Sequence, residues 1–155
     1  MRRAVQELGK LPDSYKIIND FRVRFRNEGA QVDHLVIGPT GIFLIETKNW
    51  SQQSIESVSL RSPVEQIRKA NKLVYILLRE RTKYVRLFHD HWGQKRIQIR
   101  NVILMMNHRP AAEYEYVKIV LLERINRYIQ YFEAQLSAAE VDAITEILLS
   151  EMQNR

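Results

Sequence analysis

The stretch that decides the fold runs Gln31-Val32-Asp33-His34-Leu35-Val36-Ile37-Gly38-Pro39-Thr40-Gly41-Ile42-Phe43-Leu44-Ile45-Glu46-Thr47-Lys48. Two β-rich runs flank a Gly-Pro-Thr-Gly tetrapeptide, which reads as a hairpin. If those four residues form the loop, Ile37 faces Ile42, and counting outward sets Asp33 directly across from Glu46. Opposed residues have Cβ atoms roughly 5 Å apart, and like charges at that spacing are unfavourable. Lys48, two residues beyond Glu46, projects from the same face. Two carboxylates and an ammonium beside an apolar hairpin need a compensating partner, and a divalent cation supplies one.

The register has an alternative. Pro39 cannot take the positive φ that the usual two-residue hairpin turns require at their first central position. A four-residue loop built on a type I turn, with Pro39 second, fits it better. A three-residue loop with Gly41 as a bulge would instead set Asp33 opposite Thr47 and turn Glu46 to the other face. The first register is preferred because it groups the polar residues. It also leaves His34, Val36, Phe43 and Ile45 as a mostly apolar opposite face.

Composition bounds the rest. A single domain spanning residues 1–155 is long enough for a real core. Lys and Arg number 24 against 18 Asp and Glu, a net charge of +6, which favours an anionic partner, nucleic acid ahead of membrane. With no cysteine, disulfides and thiolate zinc sites are excluded. The start, Met-Arg-Arg-Ala-Val-Gln-Glu, lacks the apolar segment of a signal peptide. No apolar run approaches the ~18 residues needed to span a bilayer. The expectation is a soluble, cytoplasmic protein with no membrane partner.

Around the hairpin, Val5, Leu8 and Leu11 mark a short helix that ends before Pro12. Tyr15 to Arg26 has period two, with Phe21, Val23 and Phe25 on one face and Arg22, Arg24 and Arg26 on the other. Ser54 to Leu60 offers a short strand. Ser62-Pro63-Val64-Glu65 reads as a capped start for a helix to about Arg81, burying Ile67, Ala70, Leu73, Val74, Leu77 and Leu78. Ile97 to Met106 predicts a central strand and Tyr114 to Leu121 another. Glu123 to Phe132 reads as helix, and Ser137-Ala138-Ala139-Glu140 is a capping box opening a last helix to about Met152. The order predicts an α/β fold: a mixed central β-sheet flanked by α-helices.

Asp33 followed by Glu46-Thr47-Lys48 at a strand end resembles the signature of the PD-(D/E)xK nuclease superfamily. The flanking text narrows the likeness. Leu11-Pro12, Tyr15, Asn19-Asp20, Asp33-His34, the run Gly38 to Trp50, Pro63 with Gln66, and Leu136-Ser137 with Glu140-Val141 resemble the nuclease-related domain, NERD. The likeness covers most of the chain and implies a restriction-endonuclease-like core with a Mg²⁺- or Mn²⁺-dependent site. It assigns Asp33 and Glu46 as metal-binding carboxylates, Lys48 as the motif lysine and Gln66 as the glutamine of the following helix. The Thr47 carbonyl is a further metal ligand by the same likeness. Chemistry agrees: Mg²⁺ takes hard oxygen ligands and keeps several waters, so one or two carboxylates suffice beside substrate phosphate.

Two departures stand out. Family members often carry a glutamate on the first helix, and counting back from Val5 and Leu8 that position falls near Arg2. Glu7 lies about 140° around the helix from it. Members also commonly have Gly after the Asn-aromatic pair, where this chain has Ser51-Gln52-Gln53.

Each candidate has a plainer reading. Asp33, Glu46 and Lys48 could be a structural ion-pair trio at a sheet end. Gln66 shares a stripe with Ala70, Leu73 and Leu77, and as a buried group it could bond nearby backbone instead. Arg22, Arg24 and Arg26 could be a solvated strand face or a phosphate-binding ladder. Trp50 could pack, or stack on an unpaired base. Tyr84, Arg86, Lys95, Arg96 and Arg100 are weaker contact candidates. His89-Asp90-His91 is too small for a closed zinc site and reads as surface. Tyr128, Tyr131 and Phe132 have the spacing of a core-facing helix stripe, and His34 reads as packed or hydrogen-bonded away from Asp33.

The sequence therefore points to Mg²⁺-dependent cleavage of phosphodiester bonds, with DNA favoured over RNA as partner. A homodimer or an accessory protein is also compatible. The rival is a nucleic-acid-binding or interaction module that retains the nuclease fold without activity.

Overall fold

The computed structural model describes residues 2–49, 61–82, 97–111 and 113–153. Helix α1 (Arg2–Leu8) precedes strands β1 (Lys16–Phe25), β2 (Glu28–Gly38) and β3 (Gly41–Lys48). Helix α2 (Arg61–Thr82) leads to β4 (Ile99–Met105) and β5 (Val117–Leu121). A 3-10 turn (Leu122–Arg124) runs into α3 (Ile125–Gln130), and α4 (Ala138–Gln153) follows. The described strands form one sheet in the order β1-β2-β3-β4-β5. The first three are antiparallel neighbours, and β4 and β5 lie parallel to β3. The fold is α/β, a mixed sheet between helices.

Strand alternation sends side chains to two cores. Leu35, Ile37, Ile42, Leu44, Ile103 and Met105 pack with α2 and α4 on one face. Val36, Phe43, Ile45, Val102 and Leu104 pack with α1 and α3 on the other. β3 and β4 are buried on both faces, which is why their sequences are continuously apolar.

The hairpin adopts the preferred register, with Ile37 opposite Ile42 and His34 opposite Ile45. Pairing goes one step further than expected, to Gly38 opposite Gly41, so only Pro39 and Thr40 bridge the strands. Neither has positive φ, which suits a type I turn with Pro39 second, and Gly41 takes φ 126°. Gly38 is required for another reason: a Cβ there would lie 2.1 Å from the Tyr15 ring. The tip is fastened from below. Thr40 Oγ1 donates to the Ile129 carbonyl at 2.7 Å and lies 3.0 Å from the Tyr15 hydroxyl, while Pro39 O accepts from the Gln135 and Leu136 amides.

Several details differ from the sequence reading. α1 buries Ala4 and Leu8 and leaves Val5 39% exposed, so its inward face is rotated from the Val5 stripe. α2 already includes Arg61, which places Ser62 and Pro63 inside its first turn rather than at a cap. Pro63 is tolerated there because first-turn amides have no helical partner. The second capping box forms as read: the Ser137 amide donates to Glu140 Oε1 at 2.8 Å, and the Glu140 amide to Ser137 Oγ at 3.2 Å. The short strand expected at 54–60, and His89-Asp90-His91, lie outside the described residues. Among the described residues, no helix is long and apolar enough to cross a membrane.

Candidate metal and phosphate site

Glu46 sits two residues from the end of β3, and the pleat aims it to the α2 side with Ile42 and Leu44. It is 8% exposed. Lys48 follows on the same face, half-buried, at the strand terminus. The Lys48 carbonyl accepts from the Met106 amide at 3.0 Å, which ties this strand end to the end of β4.

Asp33 reaches the pair by a local break in β2. Pairing between β1 and β2 skips one position, Asp20 with Asp33, although the register is unchanged on either side. Asp20 has φ 55°, in the left-handed region. Alternation slips by one residue in both strands at this point. Val32 and Leu35, and likewise Phe21 and Ile18, all enter the α2-side core. The skipped pair with Asp20 leaves the Asp33 amide outside the ladder. It donates to Glu46 Oε1 at 3.0 Å. The Asp33 carboxylate reaches the other way, with Oδ2 accepting from the Thr47 amide at 2.8 Å and from Thr47 Oγ1 at 2.7 Å.

These bonds fix the two acids beside each other, and the electrostatics follow. Burial, and after it the negative charge of Asp33, push the Glu46 carboxyl up to about 7 from 4.5. The Asp33 N–H bond and the Lys48 charge pull it the other way. Lys48 thus acts on Glu46 through its field, without an ion pair within 4.0 Å among the described residues. A buried carboxylate repelled by a neighbouring one is the environment a cation would relieve.

The donor set suits a hard cation. Among the described residues, Asp33 Oδ1 and Glu46 Oε2 carry no hydrogen bond, while their sister oxygens are held by backbone and by Thr47. Two carboxylates with one oxygen each available match Mg²⁺ bound largely through water and substrate. No third His, Cys, Asp or Glu joins them among the described residues. Glu7 is engaged elsewhere, paired with Lys10 at 3.0 Å.

Other sequence candidates fall as follows. Gln66 is exposed in the second turn of α2, so it does not begin the buried stripe that Ala70, Leu73 and Leu77 continue. No described hydrogen bond joins it to Asp33, Glu46 or Lys48. Arg22, Arg24 and Arg26 are exposed at the edge strand β1 and its turn. Arg22 pairs with Asp20 at 3.3 Å and Arg26 with Glu80 at 3.2 Å. Arg22 and Arg24 alternate with Phe21 and Val23, so they project away from the α2-side core that Glu46 faces. Arg100 is structural, stacked 3.5 Å from the Phe132 ring centroid and donating to the Thr40 carbonyl at 3.3 Å. Trp50, Tyr84, Arg86, Lys95 and Arg96 lie outside the described residues.

His34 is fully buried on the opposite face, with Nδ1 2.8 Å from Asn19 Oδ1. Burial lowers its pKa against the opposing pull of Asp33, which favours the neutral ring. Two features escaped the sequence reading: the strand break at Asp20 and Asp33, and Thr47 as the residue that orients Asp33. The only sequence trace of the second is a hydroxyl residue between Glu46 and Lys48.

The crystal structure of the small subunit (R.BspD6I2) of the heterodimeric restriction endonuclease R.BspD6I is similar, at a TM-score of 0.42 and 13% sequence identity. The likeness covers 96% of this chain and 85% of that one. A comparison with curated proteins gives no match. The family model of the nuclease-related domain matches residues 1–106, which include α1, the hairpin with Asp33, Glu46 and Lys48, and β4. The chain belongs to the nuclease-related domain (NERD) family.

Proposed function

We propose that this chain is a Mg²⁺-dependent nuclease hydrolysing DNA phosphodiester bonds at the end of β3. The observation that carries the reading is the hydrogen-bonded pair of Asp33 and Glu46, with Glu46 destabilised as an anion by burial and by its neighbour. Family membership and the net charge of +6 support a polyanionic partner.

Asp33 and Glu46 would hold the ion, with the Thr47 carbonyl as a third oxygen. When bound, Mg²⁺ (or Mn²⁺) supplies Lewis acidity toward the scissile phosphate and lowers the pKa of water. The protein's own groups do the rest. Thr47 clamps one Asp33 oxygen through two hydrogen bonds, which leaves the other aimed by a fixed carboxylate plane. The Asp33 amide does the same for Glu46. Lys48, on the Glu46 face, is the group to orient the attacking water or to stabilise charge developing on the phosphoryl oxygens. Gln66, exposed on α2, would contribute through substrate rather than through the carboxylates.

A second reading has one observation in its favour: no third acid completes the pair among the described residues. Under it the chain binds nucleic acid without cutting. The test is to incubate the protein with single- and double-stranded DNA in Mg²⁺ or Mn²⁺ beside Lys48→Ala and Glu46→Gln. The nuclease reading expects cleavage by the parent that falls by about 10²-fold or more in each variant. Salt-sensitive binding without cleavage supports the second reading. Equal cleavage by all three refutes the assigned site.

A further inference from the structure

The opposite end of the sheet carries a surface that the carboxylate site does not use. The starts of β4 and β5 open into a cleft of about 900 Å³ between α2 and α3. Glu46 pairs with Ile103, and the β4 residues lining the cleft run from Ile99 to Asn101, so the nearest of them lies two residues, roughly 7 Å, back along the strand. Among the described residues, the charged ones lining the cleft are Arg68, Lys72, Arg100 and Lys118, with no carboxylate. An adjoining cleft of about 520 Å³ shares Lys118 and Tyr131 and adds Arg124 and Arg127, again without an acid among the described residues. Among the described residues, none of Arg68, Lys72 and Lys118 has an ion-pair partner.

Aromatic rings stand among these cations. Tyr131 is 80% exposed, contrary to the core position its spacing with Tyr128 and Phe132 predicts, and meets Phe132 edge-on at 5.3 Å. Tyr116 is 72% exposed and has φ 65°, a backbone conformation that costs a bulky residue free energy. A partly buried polar network holds it there. Asn71 Nδ2 donates to Asn101 Oδ1 at 2.9 Å, and Asn101 Nδ2 donates to the Tyr116 carbonyl at 3.0 Å. The ring buries little, and the Arg68 guanidinium lies 5.8 Å from its centroid. Folding gains little from this arrangement; an unpaired base would gain a stacking surface with cations beside it.

We propose that this cleft binds single-stranded nucleic acid, stacking bases on Tyr116 and Tyr131 and holding phosphates with Arg68, Lys72 and Lys118. Exposed rings between unneutralised cations match the requirements of a strand whose bases are free to stack. A duplex offers phosphates but no open base face, and an acidic peptide offers charge without planar rings.

The test is fluorescence anisotropy with a labelled oligothymidylate in EDTA, so that cleavage is absent and failure of the metal site leaves the readout untouched. Tyr131→Ala is expected to weaken binding about tenfold and Tyr131→Phe to preserve it. Lys72→Gln with Lys118→Gln should flatten the dependence of log affinity on log salt by about 0.7 for each phosphate no longer neutralised. Tyr131 is largely exposed, so its variants fold, and circular dichroism checks that. The proposal is overturned if Tyr131→Ala binds like the parent. It is equally overturned if polyglutamate of matched charge displaces the oligonucleotide as well as unlabelled oligonucleotide does, or if duplex of the same length binds as tightly.

Discussion

Asp33 gives its backbone N–H to Glu46 Oε1 at 3.0 Å, at the position where pairing with Asp20 of β1 is skipped. A strand break thereby becomes an acid pair, and the stability of the metal-free protein should register it. The folded Glu46 pKa, about 7, exceeds the unfolded value near 4.5, so between those limits the folded chain keeps a proton that the unfolded chain has released. Stability should therefore fall as pH rises through this window, by roughly 3 kcal/mol for this group. Glu46→Gln keeps an acceptor oxygen and removes the penalty. Its stability gain should be present at pH 8 and absent at pH 4 in urea unfolding.

Metal binding should show the inverse dependence. A cation needs the Glu46 carboxylate ionised, so Mg²⁺ affinity should rise from pH 6 to pH 8. Each ion bound should displace close to one proton at pH 6 and almost none at pH 9. Calorimetry in buffers of different ionisation enthalpy measures that count directly. A proton release that stays at zero across the range would contradict the assigned role of Glu46.

Asp33→Asn should leave the metal-free fold intact or more stable. Asparagine retains an oxygen to accept from the Thr47 amide and hydroxyl, and it removes the charge that repels Glu46. Metal affinity should drop sharply in the same variant. A large loss of stability in EDTA would mean that the Asp33 charge itself supports the fold.

The hairpin tip should tolerate little. Gly38→Ala places a methyl 2.1 Å from the Tyr15 ring and should cost about 2 kcal/mol. Thr40→Val leaves the Ile129 carbonyl and the Tyr15 hydroxyl without their partner inside a buried contact, and should cost about 1–3 kcal/mol. Denaturant melts of the two variants report both values.

The hairpin and its register were legible because one alternation, interrupted by Gly-Pro-Thr-Gly, admits few pairings that bury both faces. The α2 stripe from Ile67 to Leu78 and the Ser137 capping box were legible for the same local reason, since periodicity and caps act within a turn or two. What escaped depends on non-local packing. Tyr131 keeps helical angles, φ −67° and ψ −34°, which set it about 140° around from the buried Ile125 and Ile129 face. Val5 gives way to Ala4, which with Leu8 enters the core that holds Phe43 and Ile45. The Asp20–Asp33 break needs φ 55° at a residue whose sequence neighbours read as ordinary strand. The pairing of charges at Asp33 and Glu46 was visible from counting; the amide that joins them was not.

Whether the two acids grip a cation is decided most directly by a crystal structure of the protein soaked in Mn²⁺, with anomalous scattering to locate the ion. The predicted result is a single strong peak between Asp33 Oδ1 and Glu46 Oε2, at about 2.1 Å from each, lost in Glu46→Gln. Ordered Asp33 and Glu46 side chains with no peak between them, or a peak bound elsewhere and unaffected by the variant, would contradict it.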